Sequence, residues 1–121
     1  MLALHRYLMA INASALAQVC AYLRRSGIRR VLVGHKPFGT LPAVVRTDGV
    51  EVITADTSFS DVTAPDMRGR AASEVLLEFG PAHSQARIHG CLHDGRAVDF
   101  WLPPPDPSPA ARPSVLLGQM G

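Results

Sequence analysis

V-L-V-G-H-K-P-F-G, residues 31–39, is the stretch on which the reading of this chain turns. A short, β-branched apolar run stops at Gly34 and passes at once to His35, then to Lys36 and a Pro37-Phe38-Gly39 turn. In open α/β sheets ligands bind in the crevice beyond the carboxyl ends of the strands, and His35 stands at such an end. Gly34 permits a close backbone approach, Pro37 and Gly39 fix the turn, and Lys36 offers a cation to an anionic ligand.

Upstream, Met9, Ala13, Leu16, Val19, Cys20 and Leu23 recur at three- and four-residue steps, which predicts a helix over residues 9–23 with one buried stripe. Arg24 and Arg25 fall in its last turn, where cations offset the exposed carbonyls, and Gly27 supplies the stop. Residues 28–33 follow as a strand expected to be covered on both faces. Downstream, residues 41–46 are of undefined type, Asp48-Gly49 signals a turn, and residues 50–55 read as a second strand ending at Asp56. This rhythm of helix, strand, connection and strand predicts a layered α/β (α+β) unit. Residues 57–69 read as a long polar loop. Residues 72–79, 88–92 and 98–102 read as strands, the last two joined as a hairpin by Asp94-Gly95. Six of the ten prolines crowd into residues 103–113, which predicts an extended or flexible tail.

A chain of 121 residues can form one domain with a real core, and no apolar run approaches the ~20 residues of a membrane span. Charge is divided unevenly: before Asp48 there are seven cations and no carboxylate, while from Asp48 onward ten acids meet five arginines. Such a cationic half can steer an anionic ligand. The plainer reading has Arg24, Arg25, Arg29 and Arg30 decorating one helix end. A nucleic-acid patch built on these arginines lacks the aromatic interleaving that usually accompanies one, so nucleic acid is not the expected partner. Cys20 and Cys91 have no metal-type spacing and read as buried small hydrophobes in a reducing compartment. The expected location is cytoplasmic. An acid-free amino-terminal stretch with Arg6 and Ser14 leaves a mitochondrial leader as the alternative.

The pattern resembles the calcineurin-like metallophosphoesterases. Gly34-His35-Lys36-Pro37, preceded by Arg30-Val31-Leu32-Val33 and followed by a strand ending in Asp56-Thr57-Ser58, is similar to the late G-H-x-H motif of that superfamily in its G-H-x-P form. The resemblance covers residues 9–102. It implies the C-terminal half of a metallophosphoesterase-type β-sandwich flanked by helices, with His35 as a metal ligand. It also implies divalent ions (Mn, Fe or Zn, two in a complete domain) and phosphate-ester hydrolysis by metal-bound hydroxide. Lys36 is then a candidate phosphate contact, and Asp56 a candidate partner for the second imidazole nitrogen of His35.

The superfamily's earlier motifs, D-x-H, G-D-x-x-D and G-N-H-D or E, are absent from these 121 residues, and Pro37 stands where a second histidine would ligate. The resemblance therefore implies a partial phosphoesterase domain over residues 1–102, with residues 103–121 as a Pro-rich tail. Two ions about 3.5–4 Å apart need more ligands than one imidazole, so this chain by itself is not expected to hydrolyse its substrate. A partial sheet also predicts an exposed strand edge open to another chain or a second copy. The rival reading is a non-catalytic interaction module that keeps the same layers. His89, Cys91 and His93 alternate along one expected strand and would face one side, which suggests either a soft metal site, with His83 nearby, or a half-buried edge strand.

Overall fold

The computed structural model describes residues 13–35, 40–57, 71–81, 84–104 and 114–117. Helix α1 (Ala13–Arg25) leads into β1 (Arg30–Val33), β2 (Ala43–Thr47) and β3 (Val50–Thr54). Strands β4 (Ala71–Phe79), β5 (Ser84–Leu92), β6 (Ala97–Leu102) and β7 (Ser114–Leu117) follow. The chain is thus α+β, with one described helix, a four-stranded sheet in the order β1-β3-β2-β7 and a three-stranded meander β4-β5-β6.

Helix α1 ends as its sequence dictates. Gly27 takes a φ of 75°, the Ile28 amide donates to the Leu23 carbonyl (2.9 Å) and the Gly27 amide to that of Arg24 (3.0 Å). This double reversal satisfies carbonyls that a helix end leaves open, and glycine adopts it without a Cβ penalty. The expected stripe is only partly correct. Cys20 is buried and Leu16 and Leu23 are half-buried, but Val19 is exposed, and Met9 lies outside the described residues.

Residues 41–46, undefined from sequence, contain β2, which pairs antiparallel with β3 from Ala43↔Thr54 to Thr47↔Val50. Asp48 and Gly49, with φ of 48° and 74°, close this two-residue hairpin in the left-handed region that such turns require. Strand β3 is central. It runs parallel to β1, from Arg30↔Glu51 to Val33↔Thr54, and contributes buried Val50, Glu51 and Ile53.

The core lies between the sheets. Val44 and Ile53 of the first sheet meet Ala71, Ala86, Ile88, Leu92, Val98 and Leu102 of the second, with Leu41 beside them. Alternation then divides the meander cleanly. Ala86, Ile88 and Leu92 of β5 are buried, while Gln85 and Cys91 are exposed. Residues of the first sheet that point the other way, among them Val45, Thr47 and Val50, are also buried, and α1 packs on β3.

Three expectations fail here for physical reasons. Strand β1 is not covered on both faces, because it is the edge of its sheet and Leu32 and Val33 remain exposed. Strand β5 is the centre of its sheet rather than an edge, and it begins at Ser84, since β4 and β6 flank it along nearly its whole length. Part of the expected tail, residues 114–117, pairs with β2, because beyond Pro113 the backbone regains the amide donors that the prolines lack.

Candidate functional site

Because β1 and β3 are parallel, their carboxyl ends coincide. The Ala55 amide donates to the Val33 carbonyl (2.9 Å), after which Gly34-His35 leaves one strand and Asp56-Thr57 the other, at the same end of the sheet. His35 is exposed and holds a φ of 80°. A non-glycine residue in that region stores about 1–3 kcal/mol of strain, a cost met most often at functional positions. Asp56 is half-buried and engaged in interactions of its own. Lys36 lies outside the described residues.

Thr57 ties this strand end to the second sheet. Its buried hydroxyl donates to the Ala71 carbonyl (2.8 Å), where β4 begins. Beside it a shallow cleft of about 390 Å³ is lined by Thr57, Ala72, Ser73, Glu74, His89 and Gly90. His89 Nε2 sits 2.7 Å from Glu74 Oε1, a cross-strand pair set by the β4–β5 register. Ser73 Oγ is buried and has no hydrogen-bond partner among the described residues. A Cβ on Gly90 would overlap the Ala72 carbonyl oxygen and lie 2.7 Å from Ser73 Cα, so this floor of the cleft exists only because residue 90 is glycine.

The alternating His89, Cys91 and His93 do not form a metal cluster. His89 and Cys91 share the outer face of β5, whereas His93 lies in the turn beyond Leu92. His83 lies outside the described residues. Among the described residues no three His, Cys, Asp or Glu side chains converge to hold an ion. One exposed imidazole, His35, fits a single corner of a metal site and leaves the remaining ligands to be supplied from elsewhere. Cys20 is buried as expected, and burial pushes its thiol pKa up, with Asp48 adding to the rise and Arg24 opposing it. Cys91 is exposed, contrary to its apolar sequence surroundings, because those neighbours point to the opposite face.

The arginines do not form one patch. Arg24 donates to the Asp48 carbonyl, anchoring the end of α1 to the β2–β3 turn. Arg30 belongs to β1, not to the helix end, and points between the sheets. There its Nε meets Glu51 Oε1 (2.6 Å) and its Nη1 donates to Ser84 Oγ (3.1 Å), while Nη2 is buried with no partner among the described residues. Arg46 grips the other carboxylate oxygen through Nε (2.8 Å) and Nη2 (2.6 Å), and also donates to the Pro103 and Pro104 carbonyls. Glu51 is fully buried, so this Arg–Glu–Arg row crosses three adjacent strands inside the protein.

On the outer face of the meander, Arg87 makes two 2.7 Å bonds to Asp99 and lies 5.3 Å from the centre of the Trp101 ring. The Arg87 donors hold the Asp99 carboxyl below its usual range. Sequence reading passed over Glu74, Arg87, Asp99 and Trp101. The signal for three of them was the Asp94-Gly95 turn, since counting outward from it sets His89 opposite Asp99 and Arg87 opposite Trp101. Comparison with protein-family models, with curated proteins and with solved structures finds no match for this chain.

Proposed function

We propose that this chain supplies one corner of a metal-dependent phosphoesterase site, with His35 as a metal ligand, Lys36 as a phosphate contact and Asp56 as the group that orients the His35 ring. The observation that carries the reading is the placement of His35 at the shared carboxyl end of the parallel pair β1–β3, in a strained backbone conformation and open to solvent. Divalent ions of the Mn, Fe or Zn type, when bound, activate water and offset charge on phosphoryl oxygens. The chain's own part is to present the imidazole at a strand end, with Lys36 next in sequence offering a cation to an anionic ester. The other ligands come from residues outside those described, or from another segment or subunit.

The test begins with Mn²⁺ itself. Calorimetric titration should detect binding that weakens by about tenfold or more, some 1.4 kcal/mol, in His35→Asn. Asn tolerates a positive φ, so the fold should persist and a loss of affinity reports the ligand. Once the remaining ligands are supplied, aryl phosphate hydrolysis with Mn²⁺ should vanish in His35→Ala. Full activity in that variant rejects the reading. A second reading, a non-catalytic interaction module, is favoured by the large apolar side chains that α1 and β1 leave in water. Absence of His35-dependent Mn²⁺ binding even when the remaining ligands are supplied would select it.

A further inference from the structure

We infer that the free edge of β1 is a docking site for an extended strand whose apolar centre is flanked by carboxylates. Three independent features support this. The first is the backbone. Glu51 and Ala55 donate to the carbonyls of Arg29 and Val33, so residues 29, 31 and 33 turn their polar groups toward β3. By strand alternation the N–H and C=O groups of Arg30 and Leu32 point away from the sheet, and among the described residues no strand pairs with them.

The second is exposed apolar surface. Ile28, Leu32 and Val33 are 40%, 47% and 38% exposed, and on the preceding helix Val19 and Tyr22, three residues apart on one face, are 55% and 62% exposed. The outer edges of the meander differ, since β4 carries Glu74 and Glu78 and β6 carries Asp99 on exposed positions. Such charges discourage pairing with another chain, and the Val31-Leu32-Val33 centre of β1 has none.

The third is charge, which selects the occupant. Arg25 and Arg29 are exposed at the amino end of β1, His35 is exposed at its carboxyl end and Lys36 follows in sequence, while no carboxylate precedes Asp48. A second copy of β1 laid parallel would set Arg29 against Arg29, and laid in either direction it would bring no carboxylate to meet Arg25 or Arg29, since none precedes Asp48. Like charges so juxtaposed oppose pairing, whereas acidic flanks on an apolar strand complement Arg25 and Arg29 at one end and find hydrogen-bonding His35, followed in sequence by Lys36, at the other. This docking surface stands on exposure, backbone pairing and charge and does not depend on the phosphoesterase reading.

The probe is a fluorescein-labelled peptide with a Val-Thr-Val-Ile-Val centre and Asp and Glu at both ends, compared with one carrying Lys at the same flanking positions. Anisotropy should show the acidic peptide binding at least about tenfold more tightly than the Lys form. Amide exchange at Leu32 should slow on binding. Leu32→Pro removes an outward donor without touching the β3 ladder and should abolish binding. An acidic peptide N-methylated at alternate residues cannot complete the ladder and should fail to bind the unaltered chain, which keeps the test intact if the proline variant does not fold. Equal affinity for the two flanking charges, protection at another edge, self-association through β1 in sedimentation, or no binding of the acidic peptide would each overturn the inference.

Discussion

Glu51 is the residue on which the interior depends most. Its carboxylate lies fully buried between two guanidinium groups, and the geometry supplies the hydrogen bonds that a buried charge needs. Removing one member leaves the others uncompensated, so Glu51→Ala should lower unfolding free energy in urea by about 3–5 kcal/mol. Replacing all of Arg30, Glu51 and Arg46 with apolar residues of similar volume should cost far less, because the desolvation of three charges disappears with them. An equal loss in the single and triple variants would contradict this account. Asp99 offers the converse case at the surface. Its folded-state pKa is depressed by Arg87, so its contribution to stability is complete above the ordinary carboxylate value and disappears as pH falls through the lower, folded one. A carboxyl-detected NMR titration should place Asp99 below a free aspartate, and Arg87→Ala should move it back up.

At the scale of elements, the β4–β5 pair depends on close backbone approach. Gly90 lies opposite Ser73, and any side chain at position 90 would collide with the Ala72 carbonyl. Gly90→Ala should therefore cost about 1–3 kcal/mol in thermal or chemical unfolding and open the strand pair beside the cleft. Wild-type stability in that variant would mean the strands separate without penalty. The same scale shows what local chemistry can specify. Gly27 ended α1, Asp48-Gly49 joined β2 to β3 and Asp94-Gly95 joined β5 to β6, each because a left-handed or tight-turn conformation is written into the residues themselves. The extent of β5 was less legible, since residues 84–87 mix Gln and Arg with Ala and reveal their alternation only beside β4 and β6.

At the scale of the whole molecule, the two sheets enclose one core, and among the described residues the first sheet ends at β1. That geometry places His35 at a strand end and in water, the position expected from residues 31–39. It also leaves the adjoining strand edge and the Val19–Tyr22 face of α1 open. The site and the edge lie on the same element, so a strand docked along β1 in either direction would bring one of its acidic flanks toward His35.

What the sequence determined by itself were the local elements: the cap of α1, the turns of the β2–β3 and β5–β6 hairpins, the apolar character of β1 and β3, and His35 at the end of the former. These follow from torsional preference and side-chain period, which act over a few residues. Only the tertiary structure decided which strand was central and which was an edge. It alone showed that Arg30 pairs with Glu51 inside the protein rather than joining a surface patch, that Cys91 faces out, and that His89 meets Glu74 across the β4–β5 pair. Those outcomes depend on pairing between strands distant in the chain, and a residue's burial is set by what lies across the sheet from it rather than by its neighbours in sequence.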